Sequence, residues 1–578
     1  MTTLATSFNT EIIRTKFQSM VDEMNILLAR SAYSTIMRES RDCSYEFLDA
    51  EGRLLGPPGS LIHGYSFQHF IRSVWRVYGR DDIKPGDVYI SNHPYESFVH
   101  HVPDLAVMTP VFHDGELVAY SCSAAHKPDF GGAMPGSSYS RATELIQEGF
   151  LLPIVRYARR GRIVDEFTRI IETNVRSPYL VLGDMNSQIG ITKTAAKRIQ
   201  QLIGRFGKQE IFDAFAMTID GTDRLFKSYL SEWPDGSHSG EAWLDDDGSG
   251  FGDPVKLFVT VTKHGSHIEF DFTGTDPQTR GPANMVISVV QASVTFALVA
   301  LIDPAFPFND GMWRSVDLKF AERTVVSPEY PAPVGNCTQS MHRLMDLLVE
   351  VLGKFQSDKG VAHSGGSGGT LAVSWPAGVV GPHAYTHYEI LGAATAGSNQ
   401  GDGESGIATN SSSNLFLAPI EVVETAAPIR LKTFEMVPDS GGPGKFRGGL
   451  SYRRTYEVLE AAKLNRRADR VKIASSGSAG GGPGRRGEFT MNPGLDTQES
   501  FGGSGFYDLE QGQTFAVAGS GGGGYGNPFE RDVAAILEDV RAGWVSVEGA
   551  ARDYGVVIVD RTVDERATSA LRSAPRTA

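Results

Sequence analysis

The strongest local signal in this sequence is a β-hairpin that ends near residue 126. Two runs rich in Val, Leu, Tyr and Phe, residues 105–112 and 116–122, flank the dipeptide Asp114-Gly115. Asp-Gly between two such runs favours a two-residue turn, because both turn positions need a positive φ. The turn fixes the pairing of the two strands, so it also decides which side chains meet at the open end of the hairpin.

The predicted open end of this hairpin gathers residue types that bind metals. A two-residue turn at Asp114-Gly115 places Asp104 opposite Ala125 and beside His126, and His101 lies just before Asp104 in the chain. Two imidazoles and a carboxylate are usual ligands of a catalytic divalent metal. Polar residues that merely end a strand are the alternative, and a slip of one residue would turn His126 to the other face.

Length and composition are those of a large globular enzyme. The chain has 578 residues, 41% hydrophobic and 21% charged, which allows about two to four domains. Asp and Glu exceed Lys and Arg by 68 to 54, giving a net charge of −14. With no basic stripe evident, nucleic acid is not expected as a partner. The three cysteines lie far apart and form no Cys-x-x-Cys pair, which favours a reducing, cytoplasmic location.

No segment is expected to enter a membrane. The first residues lack the basic and apolar regions of a signal peptide. The most apolar stretch, residues 285–302, contains several polar side chains and is followed by Asp303-Pro304. Its length and polarity predict a buried core helix rather than a membrane span.

The alternation of helical and extended segments predicts an α+β fold: a multi-layered mixed α/β chain with antiparallel hairpins and a Gly-rich, β-containing C-terminal half. Helices are expected from an N-cap at Thr10 onward and over residues 163–175 and 192–215. Residues 45–55 are a second hairpin candidate. Further strands are expected at residues 255–261, 267–272 and 452–458.

Changes in composition suggest three regions. We expect an α+β domain with the metal site over residues 1–239 and one or more Gly-rich α/β domains over residues 240–560. Residues 561–578 are polar and lack a clear apolar face, so they are expected to form a disordered tail.

Glycine clusters raise the question of nucleotide binding. Many of the 65 glycines follow position 360, with clusters at residues 365–369, 480–487 and 519–526. None completes the phosphate-binding loop, in which Gly-Lys precedes a hydroxyl side chain that holds magnesium. We therefore expect turns and tightly packed loops, and no nucleotide-binding residues. A nest of backbone N–H groups at residues 365–370 is the alternative for an anion.

Other catalytic patterns are matched poorly. Gly-x-Ser-x-Gly occurs once, at residues 365–369, but inside a Gly-rich run rather than between a strand and a helix. Cys43 and Cys122 border the predicted metal region and are interpreted as buried and inert. His63 and His93 are interpreted as structural.

Several sequence blocks occur in the order found in one known family. They are GDVYISNHPY at residues 86–95, HVPD at 101–104, PVFHDG at 110–115, AHKPDFGG at 125–132, PGS at 135–137, ATE at 142–144, QEG at 147–149, NVR at 174–176, PDSGG at 438–442, RGG at 447–449, GGGGYG at 521–526 and DYGV at 553–556. By these blocks the chain resembles the hydantoinase B/oxoprolinase family over residues 17–557.

The resemblance implies a metal site. The family's ligands, matched position by position, fall on Asp42, His101, Asp104 and His126. Zinc is the expected ion, since it activates water for amide hydrolysis without redox chemistry, and iron and manganese are the alternatives. His93 stands where many members have Asp, so the resemblance does not name the substrate.

The resemblance also implies a partner, an A-type subunit of actin-like fold that binds ATP and Mg²⁺, in an α2β2 assembly. The partner would phosphorylate a small cyclic amide such as a lactam, hydantoin or 5-oxoproline, and metal-bound water on this chain would open the ring. Asp129 is expected to orient a metal-binding imidazole, and Glu144 and Glu148 are candidate acid/base residues. A ketone carboxylase subunit that uses bicarbonate and a non-catalytic scaffold for the ATPase subunit are the alternatives.

Overall fold

A computed structural model describes residues 2–407, 410 and 415–574 of the chain. The predicted α+β class is confirmed. The described residues contain twelve α-helices and several sheets, which are antiparallel except for one parallel strand pair.

A six-stranded antiparallel sheet contains the predicted hairpin. Its strands, in order of hydrogen bonding, are Cys43–Asp49 (β1), Glu116–His126 (β4), Asp104–His113 (β3), Val88–Ser91 (β2), Val155–Arg159 (β5) and Arg162–Ile163 (β6). Nearly all of β3 and β4 is buried. Both faces of these strands are covered, which explains why their sequences are continuous apolar runs rather than alternating ones.

The hairpin turn is confirmed, but the predicted pairing at its open end is wrong by one residue. His113 pairs with Glu116 as expected, whereas Val111 pairs with Ala119 and Phe112 with Leu117. The intervening residue of β4 is a β-bulge that shifts the register beyond it. Asp104 therefore lies opposite His126, not opposite Ala125.

Helices cover both faces of this sheet. The short helix Thr35–Arg38 (α2) precedes β1, and Leu61–Tyr78 (α3) packs on one face through residues such as Phe67 and Phe70. The other face is covered by Thr2–Ser31 (α1), Asp165–Asn174 (α4), Pro178–Phe206 (α5) and Lys208–Glu232 (α6).

Three local predictions in this region need correction. Thr10 is not an N-cap, because α1 already begins at Thr2. The helix predicted over residues 192–215 is two helices, which meet at Gly207 with a φ of 89°. That φ lies in a region that favours glycine, so the chain turns there. Residues 45–55 do not form the second hairpin that was predicted there; Leu48 and Leu54 are joined by a single β-bridge.

A second sheet and two long helices share one apolar core. The strands are Gly236–Leu244 (β7), Val255–His264 (β8), His267–Asp271 (β9) and Val316–Lys319 (β10), and the helices are Ile287–Ile302 (α7) and Cys337–Gly353 (α8). The predicted strands and core helix are confirmed. Among the described helices, none combines the length and the hydropathy that a membrane-spanning segment requires. The boundary expected at residue 239/240 lies inside β7.

Two further sheets pack around a common core in the C-terminal half. One contains Gly369–Trp375 (β11), Tyr385–Leu391 (β12), Ala462–Arg467 (β15) and Gly505–Leu509 (β18). The other contains Ile429–Met436 (β13), Tyr452–Val458 (β14), Glu488–Met491 (β16), Glu499–Phe501 (β17) and Thr514–Ala518 (β19). The helix Ile420–Ala426 (α9) precedes β13 and contributes Val423 to the core.

The prediction of a disordered tail over residues 561–578 is wrong for residues 561–574. The strands Ile558–Val559 (β20) and Thr562–Val563 (β21) pair, and the helix Glu565–Ser573 (α12) follows. This segment packs with Val533–Arg541 (α10) and Val547–Tyr554 (α11). Arg572 of α12 donates hydrogen bonds to the carbonyls of Tyr554 and Arg531, which hold the helix in place. Residues 575–578 lie outside the described residues.

The glycine clusters form close backbone contacts. A Cβ at Gly448 would lie 1.9 Å from the carbonyl oxygen of Gly522, and a Cβ at Gly521 would lie 1.7 Å from that of Ser440. Only glycine permits such an approach. In residues 365–370 the amides of Gly365 and Gly368 donate to backbone carbonyls, so they are not available as an anion nest.

Candidate metal centre

Strand pairing places three of the predicted ligands in one row across the sheet. Asp104 at the start of β3 pairs with His126 at the end of β4. On the other side of β4, Cys43 pairs with Ala125, and the amide of His126 donates to the carbonyl of Asp42 at 3.0 Å. Residues directly opposite each other point to the same face. Without the bulge, Asp104 would share a face with Ala125 instead of His126.

Asp104, His126 and His101 form a tight triangle of donor atoms. His101 precedes β3, and its Nε2 lies 3.2 Å from His126 Nδ1 and 3.3 Å from Asp104 Oδ1. His126 Nδ1 also lies 3.3 Å from Asp104 Oδ1. With zinc–ligand bonds of about 2.0–2.1 Å, tetrahedral donor atoms lie about 3.3–3.4 Å apart. The three side chains thus fit one face of a tetrahedral metal site.

Asp42 lies at the edge of this triangle. Its Oδ2 is 3.8 Å from His126 Nδ1, whereas the donor atoms that all lie close to one another are those of His101, Asp104 and His126. Its position is fixed locally, because its amide donates to the carbonyl of Ile36 and the preceding Arg41 has a φ of 57°. We call Asp42, His101, Asp104 and His126 the cluster.

The electrostatics of the cluster suit a divalent cation. Burial lowers the pKa of His126 to about 4, so its imidazole is neutral and can offer a lone pair. Burial and the nearby Asp104 raise the pKa of Asp42. Burial opposes ionisation of Asp104 too, but the imidazoles of His101 and His126 hold its pKa well below the usual range. Two buried carboxylates ionise together most readily when a positive ion lies between them.

The other ring nitrogens of the two histidines are buried as well. His101 Nδ1 and His126 Nε2 have no hydrogen-bond partner among the described residues. The ring of Tyr388, from β12, packs against His126 with centroids 4.4 Å apart. A residue of the C-terminal half therefore borders the cluster at His126.

His63 adjoins the cluster, although its sequence position indicated only a structural role. It lies on α3, with Nε2 3.9 Å from Asp104 Oδ2 and Nδ1 2.9 Å from Ser44 Oγ. The ring of His100 lies next to it, with centroids 5.6 Å apart. His93 is placed elsewhere, with its ring 5.5 Å from that of Tyr330.

The predicted acid/base and orienting residues have different surroundings. Asp129 does not hydrogen-bond to His126. Its carboxylate accepts from the amides of Gly131, Gly136 and Arg176 and from the Arg176 guanidinium. Asp129 thus shapes the loop that follows β4. The side chain of Glu144 is exposed.

Glu148 is buried near the N-terminus of α8. It accepts hydrogen bonds from the amides of Gly335 at 2.6 Å and Val334 at 3.3 Å. Burial raises its pKa to about 7, although these hydrogen bonds and the positive charge of Arg467 act to lower it. A carboxyl with this pKa can donate or accept a proton at neutral pH inside the protein. Glu144 is exposed, so it is not placed to do this in the buried region.

The three cysteines are free and buried, which agrees with the interpretation of Cys43 and Cys122 as buried. Burial raises the pKa of the Cys43 and Cys122 thiols, so neither is a ready nucleophile.

Tyr388 and Arg467 are site residues that the sequence did not indicate. Arg467 ends β15, is buried, and donates from Nη2 to the Tyr388 hydroxyl at 2.7 Å. Tyr388 contacts His126, and Arg467 contacts Tyr388. Both lie on strands far along the chain, so no local spacing links them to the cluster.

The chain belongs to the hydantoinase B/oxoprolinase family, whose sequence profile matches residues 6–528. It is 32% identical to an uncharacterized protein of Methanocaldococcus jannaschii, over 97% of this chain and 99% of that protein. It is 28% identical to the B-type subunit of a putative D-/L-hydantoinase of Pseudomonas sp., over 97% of each chain. It also resembles the crystal structure of the ATP-dependent caprolactamase from Pseudomonas jessenii, with a TM-score of 0.89, 25% identity, and coverage of 98% of this chain and 99% of that one.

Proposed function

We propose that this chain is the B-type subunit of an ATP-dependent cyclic-amide hydrolase that works with an A-type, ATP-binding subunit. The convergence of His101, Asp104 and His126 beside Asp42 supports this most strongly. The similarity to a hydantoinase subunit and to a caprolactamase covers almost the whole chain and supports the same activity.

The cluster would hold a divalent ion, for which zinc is the expected choice. Such an ion polarises a carbonyl and lowers the pKa of a water molecule to about 7. His126 contributes a neutral imidazole, and Asp42 and Asp104 contribute the negative charge that balances the ion. Glu148, with a pKa of about 7, can take up a proton from the attacking water or return one to the leaving nitrogen.

The partner would supply the activation that an amide needs. An amide carbon is a weak electrophile, and phosphorylation of its oxygen makes it reactive. Water then adds to that carbon, and the ring C–N bond breaks with a proton going to nitrogen, which leaves an acyl phosphate on the opened chain. A second water molecule hydrolyses the acyl phosphate to a carboxylate and inorganic phosphate. The glycine clusters of this chain serve backbone packing, so ATP binding is assigned to the partner.

The test is a reconstituted complex of this chain with its A-type partner. Lactams, hydantoins and 5-oxoproline are supplied with ATP, and ring-opened product and ADP are both measured. We expect product formation that requires ATP and a divalent metal. Turnover only with a ketone and bicarbonate would instead identify a carboxylase. Full turnover by a folded His126→Ala complex would indicate that the chain is a scaffold.

A further inference from the structure

Within the described part of the chain, Arg467 is a buried cation without a carboxylate ion-pair partner. Its side chain is 3% exposed. Nε donates to Thr370 Oγ1 at 3.3 Å and Nη2 to the Tyr388 hydroxyl at 2.7 Å. Nη1 is buried and has no hydrogen-bond partner among the described residues. Burial of a charge without an opposite charge is costly, and an anion bound next to Nη1 would offset that cost.

Three other buried arginines among the described residues have a carboxylate partner. Arg343 pairs with Asp469, Arg454 with Glu389 and Arg470 with Asp346. Arg466, the neighbour of Arg467 on β15, has no carboxylate partner among the described residues either. It lies over the Phe489 ring at 5.0 Å and donates to the carbonyl of Gly503, so it differs from Arg467 in its surroundings. Arg467 has two hydroxyl partners instead, which hold the guanidinium without neutralising it.

The free end of Arg467 lies beside the cluster. Tyr388, which accepts from Nη2, packs directly on the ring of His126. On the other side, a Cβ at Gly335 would lie 3.5 Å from Arg467 Nη1 and 2.7 Å from Glu148 Oε1. Arg467, the acid/base candidate Glu148 and the cluster therefore border one buried region. A side chain at position 335 would collide with the Glu148 carboxylate, so glycine lets this carboxylate lie against the backbone near Nη1.

We propose that Arg467 binds an anionic oxygen of the phosphoryl group on the activated substrate while the reacting carbon lies at the cluster. This inference rests on the proposed function, in which every substrate carries that phosphoryl group whatever its ring. Guanidinium groups are suited to phosphate because they donate several hydrogen bonds in a fixed plane. Tyr388 is a positioning residue that holds the guanidinium against His126.

The test uses inorganic phosphate as the probe and the full-length, zinc-loaded chain. Phosphate affinity is measured by calorimetry for the wild type, Arg467→Met and Arg466→Met, and zinc content is measured on the same samples. We expect Arg467→Met to weaken phosphate binding by about tenfold or more, since a hydrogen bond to a charged group is lost. Zinc content should remain at the wild-type level. Arg466→Met, the matched control, should bind phosphate as the wild type does.

Two further variants keep the test decisive if Arg467→Met folds poorly. Arg467→Lys should retain part of the affinity, and Tyr388→Phe should lose part of it with zinc unchanged. Equal phosphate affinity in the wild type and folded variants would overturn the assignment, as would Arg467-dependent binding of bicarbonate in preference to phosphate. Because these measurements need no turnover, a complex that binds phosphate through Arg467 but opens no ring would refute the proposed function alone.

Discussion

Glu148 provides a quantitative test of the buried region beside the cluster. Burial raises its pKa from 4.5 to about 7 in the folded chain. Between these two pH values the folded state keeps a proton that the unfolded state has released. Stability therefore falls as pH rises: the contribution of the protonated carboxyl is complete below pH 4.5 and lost above about pH 7.

The size of this effect follows from the two pKa values. At about 1.36 kcal/mol per pKa unit, the wild type should lose about 2–3 kcal/mol of unfolding free energy between pH ~5 and pH ~8 through this one group. Glu148→Gln removes the titration but keeps an oxygen that can accept from the Gly335 amide. The variant should therefore gain that amount relative to the wild type over the same range.

Urea unfolding at a series of pH values measures the difference between the two proteins. Glu144→Gln, a change at the exposed glutamate nearby, is the matched control and should follow the wild-type profile. If the wild-type and Glu148→Gln free energies stay parallel from pH ~5 to pH ~8, burial does not hold the proton on Glu148, and its assignment as an acid/base residue fails.

Three other predictions concern the cluster, the assignment of ATP hydrolysis to the partner subunit, and the glycine packing. His126→Ala in the reconstituted complex should abolish ring opening, while ATP consumption persists at a reduced level. Assays of ADP and of ring-opened product on the same samples test this, and product formation at the wild-type rate would contradict it. The isolated chain should show no substrate-dependent ATPase activity, and substantial ADP release from it would refute the assignment of ATP to the partner. Gly448→Ala should destabilise the fold by several kcal/mol, because its Cβ would lie 1.9 Å from the Gly522 carbonyl. Gly190→Ala, where nothing lies within 4 Å, should be neutral or stabilising by up to about 1 kcal/mol; equal thermal midpoints for the two variants would contradict the packing argument.

Local turn chemistry made the hairpin predictable, but not its register. Asp114-Gly115 specifies the two-residue turn, and the apolar runs specify two buried strands. The bulge depends on how side chains pack on both faces, and the sequence around Val111 and Phe112 gives no sign of it. It nevertheless decides that Asp104 and His126 share a face.

The family resemblance identified the cluster residues, whereas the surroundings of the cluster depended on tertiary structure. Tyr388 and Arg467 come from β12 and β15. Only the packing of the C-terminal sheets brings Tyr388 onto the His126 ring and Arg467 to the Tyr388 hydroxyl. The ordered helix α12 was missed because it has few apolar residues. Its position depends on contacts such as those of Arg572 with two backbone carbonyls.

Metal content tests the central assignment most directly. Untagged wild-type chain, His126→Ala and His113→Ala are each reconstituted with zinc, dialysed and subjected to elemental analysis. His113→Ala is the control, since this histidine lies at the turn of the same hairpin, next to Asp114 and away from the cluster. We expect about one ion per chain in the wild type and in His113→Ala, and a large loss in His126→Ala. No bound metal in the wild type, or equal metal in all three proteins, would contradict the cluster as a metal centre.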